Sequence, residues 1–286
     1  MKLGSCLKLI VFLLVFFALS YSILGVEAAA LLTLGIVLYS WGGEYLSLIK
    51  DGAIRMDHLR DYEKNRLSCA LENLTEDVQR VSGTDISKLR LHVIPSDNIN
   101  ACAYGFRNIG VTRAVLNNCD DATLCAVIAH ELSHTACMDA VFYRMVFAGV
   151  TILIAGLICL SVASTSVIWI LFAVLCALRL CGGLFSMFLF QGFNRLVKGC
   201  FSLLQRGALF VYQAVMACVS RRCECRADRY SCELGYAPQL SFFLQRFVES
   251  QETGPKSLQE VIYSSHPPTH KRILRIEQNC TDLICK

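Results

Sequence analysis

Charge is scarce in this chain, and neither sign dominates the little there is. Charged residues fill 17% of 286 positions, where an ordinary soluble domain carries about 25%. That shortage excludes a disordered chain and a charged coiled coil, and it argues against a wholly soluble globule. The net charge of +4 is mild and gives no footing for nucleic acid as a partner. Internal repeats and low-complexity tracts are missing as well. What is abundant is apolar: 55% of residues are hydrophobic and the mean hydropathy is +0.49. The sixteen cysteines suggest a disulfide framework until they are placed. Cys159, Cys176 and Cys181 stand in apolar runs, where cysteine behaves as a small hydrophobe.

The apolar residues form two blocks. Leu9 to Gly43 is 35 residues with Glu27 as its one charge, and Met145 to Phe193 is 49 with Arg179 as its one charge. A membrane span needs roughly 20 residues, so each block reads as a hairpin of two spans, about four in all. The first turn is expected at Gly25-Val26-Glu27. Lys2 and Lys8 precede that hairpin, and Lys50, Arg55 and Arg60 follow it, a positive-inside pattern with both ends cytoplasmic. The competing reading is a signal peptide cleaved near Val26-Glu27-Ala28, which would leave Ala29 to Trp41 too short to span. The second turn is expected in the polar run Ser161 to Ser166. Arg179 then falls within a span, at about 2.5–3.5 kcal/mol on insertion scales. Two readings follow: it faces a polar cavity, or the hairpin is irregular.

The division expected is therefore 1–44 and 145–193 for the hairpins, with polar segments 45–144 and 194–286. The first polar segment opens with a helix-like stretch, Asp51 to Gln79. Strand-like pieces follow at Leu89 to Ile94, Ala101 to Phe106 and about Val111-Thr112, then a helix with Asp120 and Asp121 as capping candidates. The second is helical, broken at Gly235 and at Pro267-Pro268. Neither closes a core alone, so the two are expected to pack together beside the membrane, giving a mainly α fold with a small β-sheet (α+β).

The capped helix carries His130-Glu131-Leu132-Ser133-His134. Residues four apart lie one turn apart on nearly the same face, so the two imidazoles can grip one Zn²⁺, with Glu131 placed to take a proton from water. A third ligand is needed. One class of zinc hydrolases takes a histidine six residues after the second, but position 140 is Ala and 137 is Cys, which excludes that class. A glutamate from a later helix fits instead. Glu224 and Asp228 share a face at i, i+4, Glu224 to bind metal and Asp228 to accept a hydrogen bond from a ligating imidazole. The plainer alternative pairs both carboxylates with Arg221, Arg222 or Arg229 on a solvated face. Cys223 and Cys225 flank Glu224 and read as packing or free thiols, with a competing soft ligand as the other possibility. His58, His92 and His270 read as satisfied or surface histidines.

These motifs together resemble the M48 peptidase family of integral-membrane zinc metalloproteases, in size and layout the HtpX-like branch. Asn100-Ala101-Cys102-Ala103-Tyr104-Gly105, the segment Val111 to Leu116, and Ser265-His266-Pro267-Pro268 are similar to stretches of that family, in the same order. The resemblance implies a gluzincin-type peptidase domain built from two sequence segments, with one zinc per subunit on His130, His134 and Glu224. It implies Glu131 as general base, His266 as oxyanion stabiliser and Asn100 as a substrate-positioning group. It also implies protein or peptide substrates, misfolded membrane proteins among them, and the lipid bilayer as surroundings. From the residues alone, His266 equally suits a loop histidine, and Ala101–Phe106 equally suits an internal strand or an edge offered to a peptide.

Rival readings are a prenyl-protein or stress-activated protease of the same family, a pore or transporter, and an inactive scaffold. Four spans are too few for the prenyl-processing branch, and the spans carry too little charge for a transporter. The intact histidine motif with Glu224 speaks against an inactive scaffold. Asn73-Leu74-Thr75 and Asn279-Cys280-Thr281 match glycosylation acceptors, which count only on a lumenal face. Many unpaired-looking cysteines suit a reducing cytoplasm, and the peptidase halves are expected to face it. Oligomeric state is not legible.

Overall fold

The computed structural model describes residues 3–180, 183–248 and 268–284. It is mostly helical, with one small mixed sheet. In chain order the elements are α1 (Leu3–Leu24), α2 (Val26–Lys50), β1 (Ile54–Arg55), α3 (Asp61–Ser82), β2 (Arg90–Ile94), β3 (Ala101–Ala103), β4 (Asn108–Thr112), α4 (Arg113–Asn118), α5 (Asp121–Ala136), α6 (Asp139–Ala177), α7 (Leu184–Glu233), α8 (Ala237–Phe243) and α9 (Thr269–Ile284). Four of the helices, α1, α2, α6 and α7, are long and apolar enough to cross a membrane, and the chain is an integral membrane protein.

Two compact units divide it: Met1–Val146 with Met216–Lys286, and Phe147–Val215. In the first unit α1 and α2 pack as a hairpin. They break at Gly25, whose φ of 84° is open to glycine and strained for other residues. That is where the turn was expected. The sheet runs β1-β2-β4-β3. β2 and β4 are parallel, and β1 and β3 lie antiparallel on the two edges. β4 is buried throughout, while β3 has one side paired and the other at the sheet's edge. Leu67, Leu74 and Val78 of α3 pack with Leu91, Val93, Ile109 and Val111 of the sheet and Leu124 and Ile128 of α5. Each such side chain contributes roughly 1.5–3 kcal/mol by leaving water. A smaller cluster joins Ala126 to Leu240, Leu244, Ile273 and Ile276, tying α8 and α9 to the back of α5.

The second unit corrects the expected turn. α6 runs unbroken through Ser161–Ser166. The hydroxyls of Ser164, Thr165 and Ser166 donate to the carbonyls of Leu160, Val162 and Val162. Bonded back onto their own helix, they leave no polarity that a turn would have to expose. The chain leaves the helix after Ala177, with Arg179 at φ 55° and Gly183 at φ 97°. Arg179 is thus an exposed turn residue, and the charge within a span does not arise. Phe172 and Phe190 meet across the hairpin, ring centroids 4.6 Å apart.

Candidate metal centre

α5 begins where Asp120 accepts the backbone N–H of Thr123 at 2.7 Å, satisfying a donor that the first turn leaves unpaired. Arg66 of α3 holds the same end, donating to Asp121 and to the carbonyls of Leu116 and Cys119. Most of α5 beyond the cap is buried, so its polar side chains must find partners inside the protein. Ser231 of α7 donates to the carbonyl of Ala126 at 3.1 Å and seats the end of α7 against this helix.

His130 and His134 come together with Glu224. The two Nε2 atoms are 3.3 Å apart. Glu224 Oε2 lies 3.6 Å from His130 Nε2, and Oε1 lies 3.5 Å from His134 Nε2. Ligands about 2.0–2.2 Å from a tetrahedral zinc stand roughly 3.3–3.6 Å from one another, so these spacings suit one small cation. Among the described residues this trio is the group able to hold a metal. Asp228 is beside it, with Oδ1 3.0 Å from His130 Nδ1. Glu224 and Asp228 are 5% and 4% exposed, which rules out the solvated-face reading of that pair.

Two partners escape a reading of the sequence. Asp139, 2% exposed at the start of α6, has Oδ2 2.9 Å from His134 Nδ1. Each imidazole therefore has a carboxylate beside Nδ1, and for His134 the hydrogen bond to Asp139 places a proton there and leaves the Nε2 lone pair for a metal. Arg272 of α9 donates to both oxygens of Asp228 at 2.7 and 2.9 Å and stands 3.2 Å from Glu224. A signal for Arg272 was present: Thr269, Arg272, Ile273 and Ile276 are all buried, so this arginine lies on the inward face of an amphipathic helix. Asp139 had a weaker one, as the last acid before an apolar block.

The electrostatics follow from this arrangement. Burial works against charging His134, yet the carboxylates of Asp139 and Glu224 outweigh it and push the imidazole up to about 10. His130 moves the same way, burial being overcome by Asp228 and Glu224. Arg272 is likewise held charged against its burial by Asp228 and Glu224. The pocket favours positive charge, whether protons or a metal ion.

Glu131 is half-buried, and its charge reaches His134, Arg272 and Cys102. Asn100 is exposed outside the cluster, where its side-chain oxygen accepts the N–H of Ala101 at 2.9 Å. His266 lies outside the described residues. Cys223 and Cys225 stand apart from the three donors, with Cys225 Sγ 2.7 Å from Arg275. His92 is buried with Nε2 2.9 Å from Asn108 Oδ1, and burial lowers its pKa. His58 and His270 are exposed.

The edge strand β3 packs on α5, and membrane helices fix the turn that leaves it. Glu44 of α2 accepts from Asn108 Nδ2 at 2.5 Å and from the N–H of Phe106 at 3.3 Å. Arg144 of α6 donates to the carbonyls of Ser40 and Tyr104 at 3.0 and 2.8 Å. Gly105 lies so close that a Cβ there would stand 2.8 Å from Glu44 Oε2.

A model of Peptidase family M48 matches residues 64–279. No curated protein matches the chain. The crystal structure of S. mikatae Ste24p is similar at a TM-score of 0.44 and 16% identity, over 96% of this chain and 66% of that one. The chain thus spans just under two thirds of that protein's length.

Proposed function

The chain belongs to peptidase family M48, and on that premise we propose that it is a membrane-embedded zinc metalloendopeptidase. The observation that carries this reading is the spacing of His130 Nε2, His134 Nε2 and Glu224, which suits three ligands of one zinc. One zinc per subunit would be held by these residues, with Asp228 and Asp139 orienting the imidazoles from behind. When bound, zinc supplies Lewis acidity, polarising a carbonyl and making nearby water acidic enough to ionise near neutral pH.

The chain's own residues do the rest. Glu131 takes a proton from the attacking water and returns it to the departing amine. Arg272 keeps Asp228 ionised and holds both Asp228 and Glu224 in place. His266 would stabilise the developing oxyanion and Asn100 would position substrate, as the family resemblance implies. β3 is an edge strand of the sheet packed on α5, so an extended peptide can add there as a further strand. The substrates are proteins or peptides, misfolded membrane proteins among them, in a quality-control role, and the catalytic face is cytoplasmic.

Glu131→Gln tests the mechanism. The purified variant is expected to keep one zinc per chain by metal analysis while losing at least a hundredfold in cleavage, the lower range for a lost acid–base group (about 10²–10⁴). Cleavage at the parent rate would remove Glu131 from the reaction.

A further inference from the structure

We propose that Lys8, on the first membrane helix, is a positioning residue for the metal centre, acting through Asp139 on His134. The inference rests on His134 being a metal ligand. Asp139 meets His134 and Arg226 at one carboxylate oxygen, Oδ2. The other, Oδ1, is held by Lys8 Nζ at 2.8 Å. A carboxylate gripped at one oxygen can pivot about its Cβ–Cγ bond. Gripped at both, its plane is fixed, and so is the direction in which Oδ2 meets the imidazole. Asp139 is almost fully buried, so water cannot readily replace the missing partner.

The placement of Lys8 is built rather than incidental. Lys8 and Phe12 are four residues apart and share a face of α1. Asp139 and Phe142 are three apart and share a face of α6. The two faces meet: Phe12 packs edge-on against Phe142 with centroids 6.4 Å apart, and the Lys8 ammonium lies 5.2 Å from the Phe142 centroid. Aromatic packing thus docks α1 at the height where Lys8 reaches Asp139. The first membrane helix becomes part of the metal centre's support, beyond its service as an anchor.

The plain alternative is that Lys8 merely adds positive charge at the cytoplasmic end of a span. Lys8→Met and Lys8→Arg in the full-length protein separate the two, with Lys50→Met as a control that removes an exposed charge flanking the same hairpin. The readouts are zinc affinity by chelator competition and the visible spectrum of the cobalt-substituted protein, which reports ligand geometry. Lys8→Met is expected to weaken zinc binding about tenfold or more, the lower range for loss of an outer partner, and to shift the cobalt bands. Lys8→Arg should restore both, and Lys50→Met should change neither. Parent-like affinity and spectrum in Lys8→Met overturn the proposal, as does an equal loss in Lys50→Met. If Lys8→Met fails to accumulate, Lys8→Gln is judged by the same two readouts. A parent protein that binds no zinc would overturn the zinc reading and this inference together, whereas zinc in the parent with an indifferent Lys8 removes this inference alone.

Discussion

His134 is bracketed by carboxylates, with Asp139 at Nδ1 and Glu224 at Nε2, and that bracket gives the site a pH signature. Its folded pKa is pushed up to about 10 from an ordinary 6.5, and that of His130 is raised as well. In metal-free protein the contribution of His134 to stability is full below pH 6.5 and is lost as pH rises through about 10, and that of His130 falls in the same direction. On the proposed zinc reading, the metal would compete for the same lone pairs and would displace fewer protons as pH rises. The gain in Tm from added zinc over chelator is expected to grow between pH 6 and pH 10, read by thermal unfolding in detergent. A gain that shrinks with pH would contradict the bracket. At this scale the sequence showed the residues whose spacing is their signature: His130, His134, Glu224 and Asp228 recur at helical intervals. Asp139, Arg272 and Lys8 reach the site from three different helices, and no interval along the chain relates them to the histidines.

Elements were legible where local chemistry alone makes them. Asp120 caps α5, Gly25 breaks the first hairpin, and Gly235 at φ 94° separates α7 from α8. The second hairpin was misplaced because side-chain polarity was taken as a mark of solvent. A hydroxyl that bonds to the carbonyl one turn back is polar by composition only, and Ser161–Ser166 contains neither glycine nor proline to end a helix. Two-residue β1 escaped notice because its pairing with β2 depends on where the chain returns from the membrane. The relocated turn has a measurable consequence. Arg179→Leu is expected to leave membrane insertion unchanged, since residue 179 is outside the helices. A gain approaching the ~2.5–3.5 kcal/mol that separates a charge from an apolar side chain at a span's centre would put Arg179 back within one.

At the scale of the whole molecule, the question of sides can be asked of particular thiols. Cys223 is buried and a poor reporter, whereas Cys69 on α3 is exposed and Cys225 on α7 is half-exposed. In variants retaining one or the other, an impermeant maleimide is expected to label both from the cytoplasmic side. Labelling from the opposite side would reverse the proposed orientation and bring Asn73, exposed on α3, into consideration as a glycan acceptor. The division into two apolar blocks was readable from composition. The meeting of His130 and His134 with Glu224 from the two sides of the second block was readable only as a requirement, since nothing local to either side closes a site.

That split has a consequence in time. His134 and Glu224 are ninety residues apart, and the second hairpin is synthesised between them. At about 5–20 residues per second, roughly 5–18 seconds pass between the emergence of the second histidine and that of the glutamate. Throughout that interval the nascent chain holds His130, Glu131 and His134 but not Glu224. On the proposed reading, the order of synthesis would keep the peptidase unarmed until its second membrane hairpin has been made.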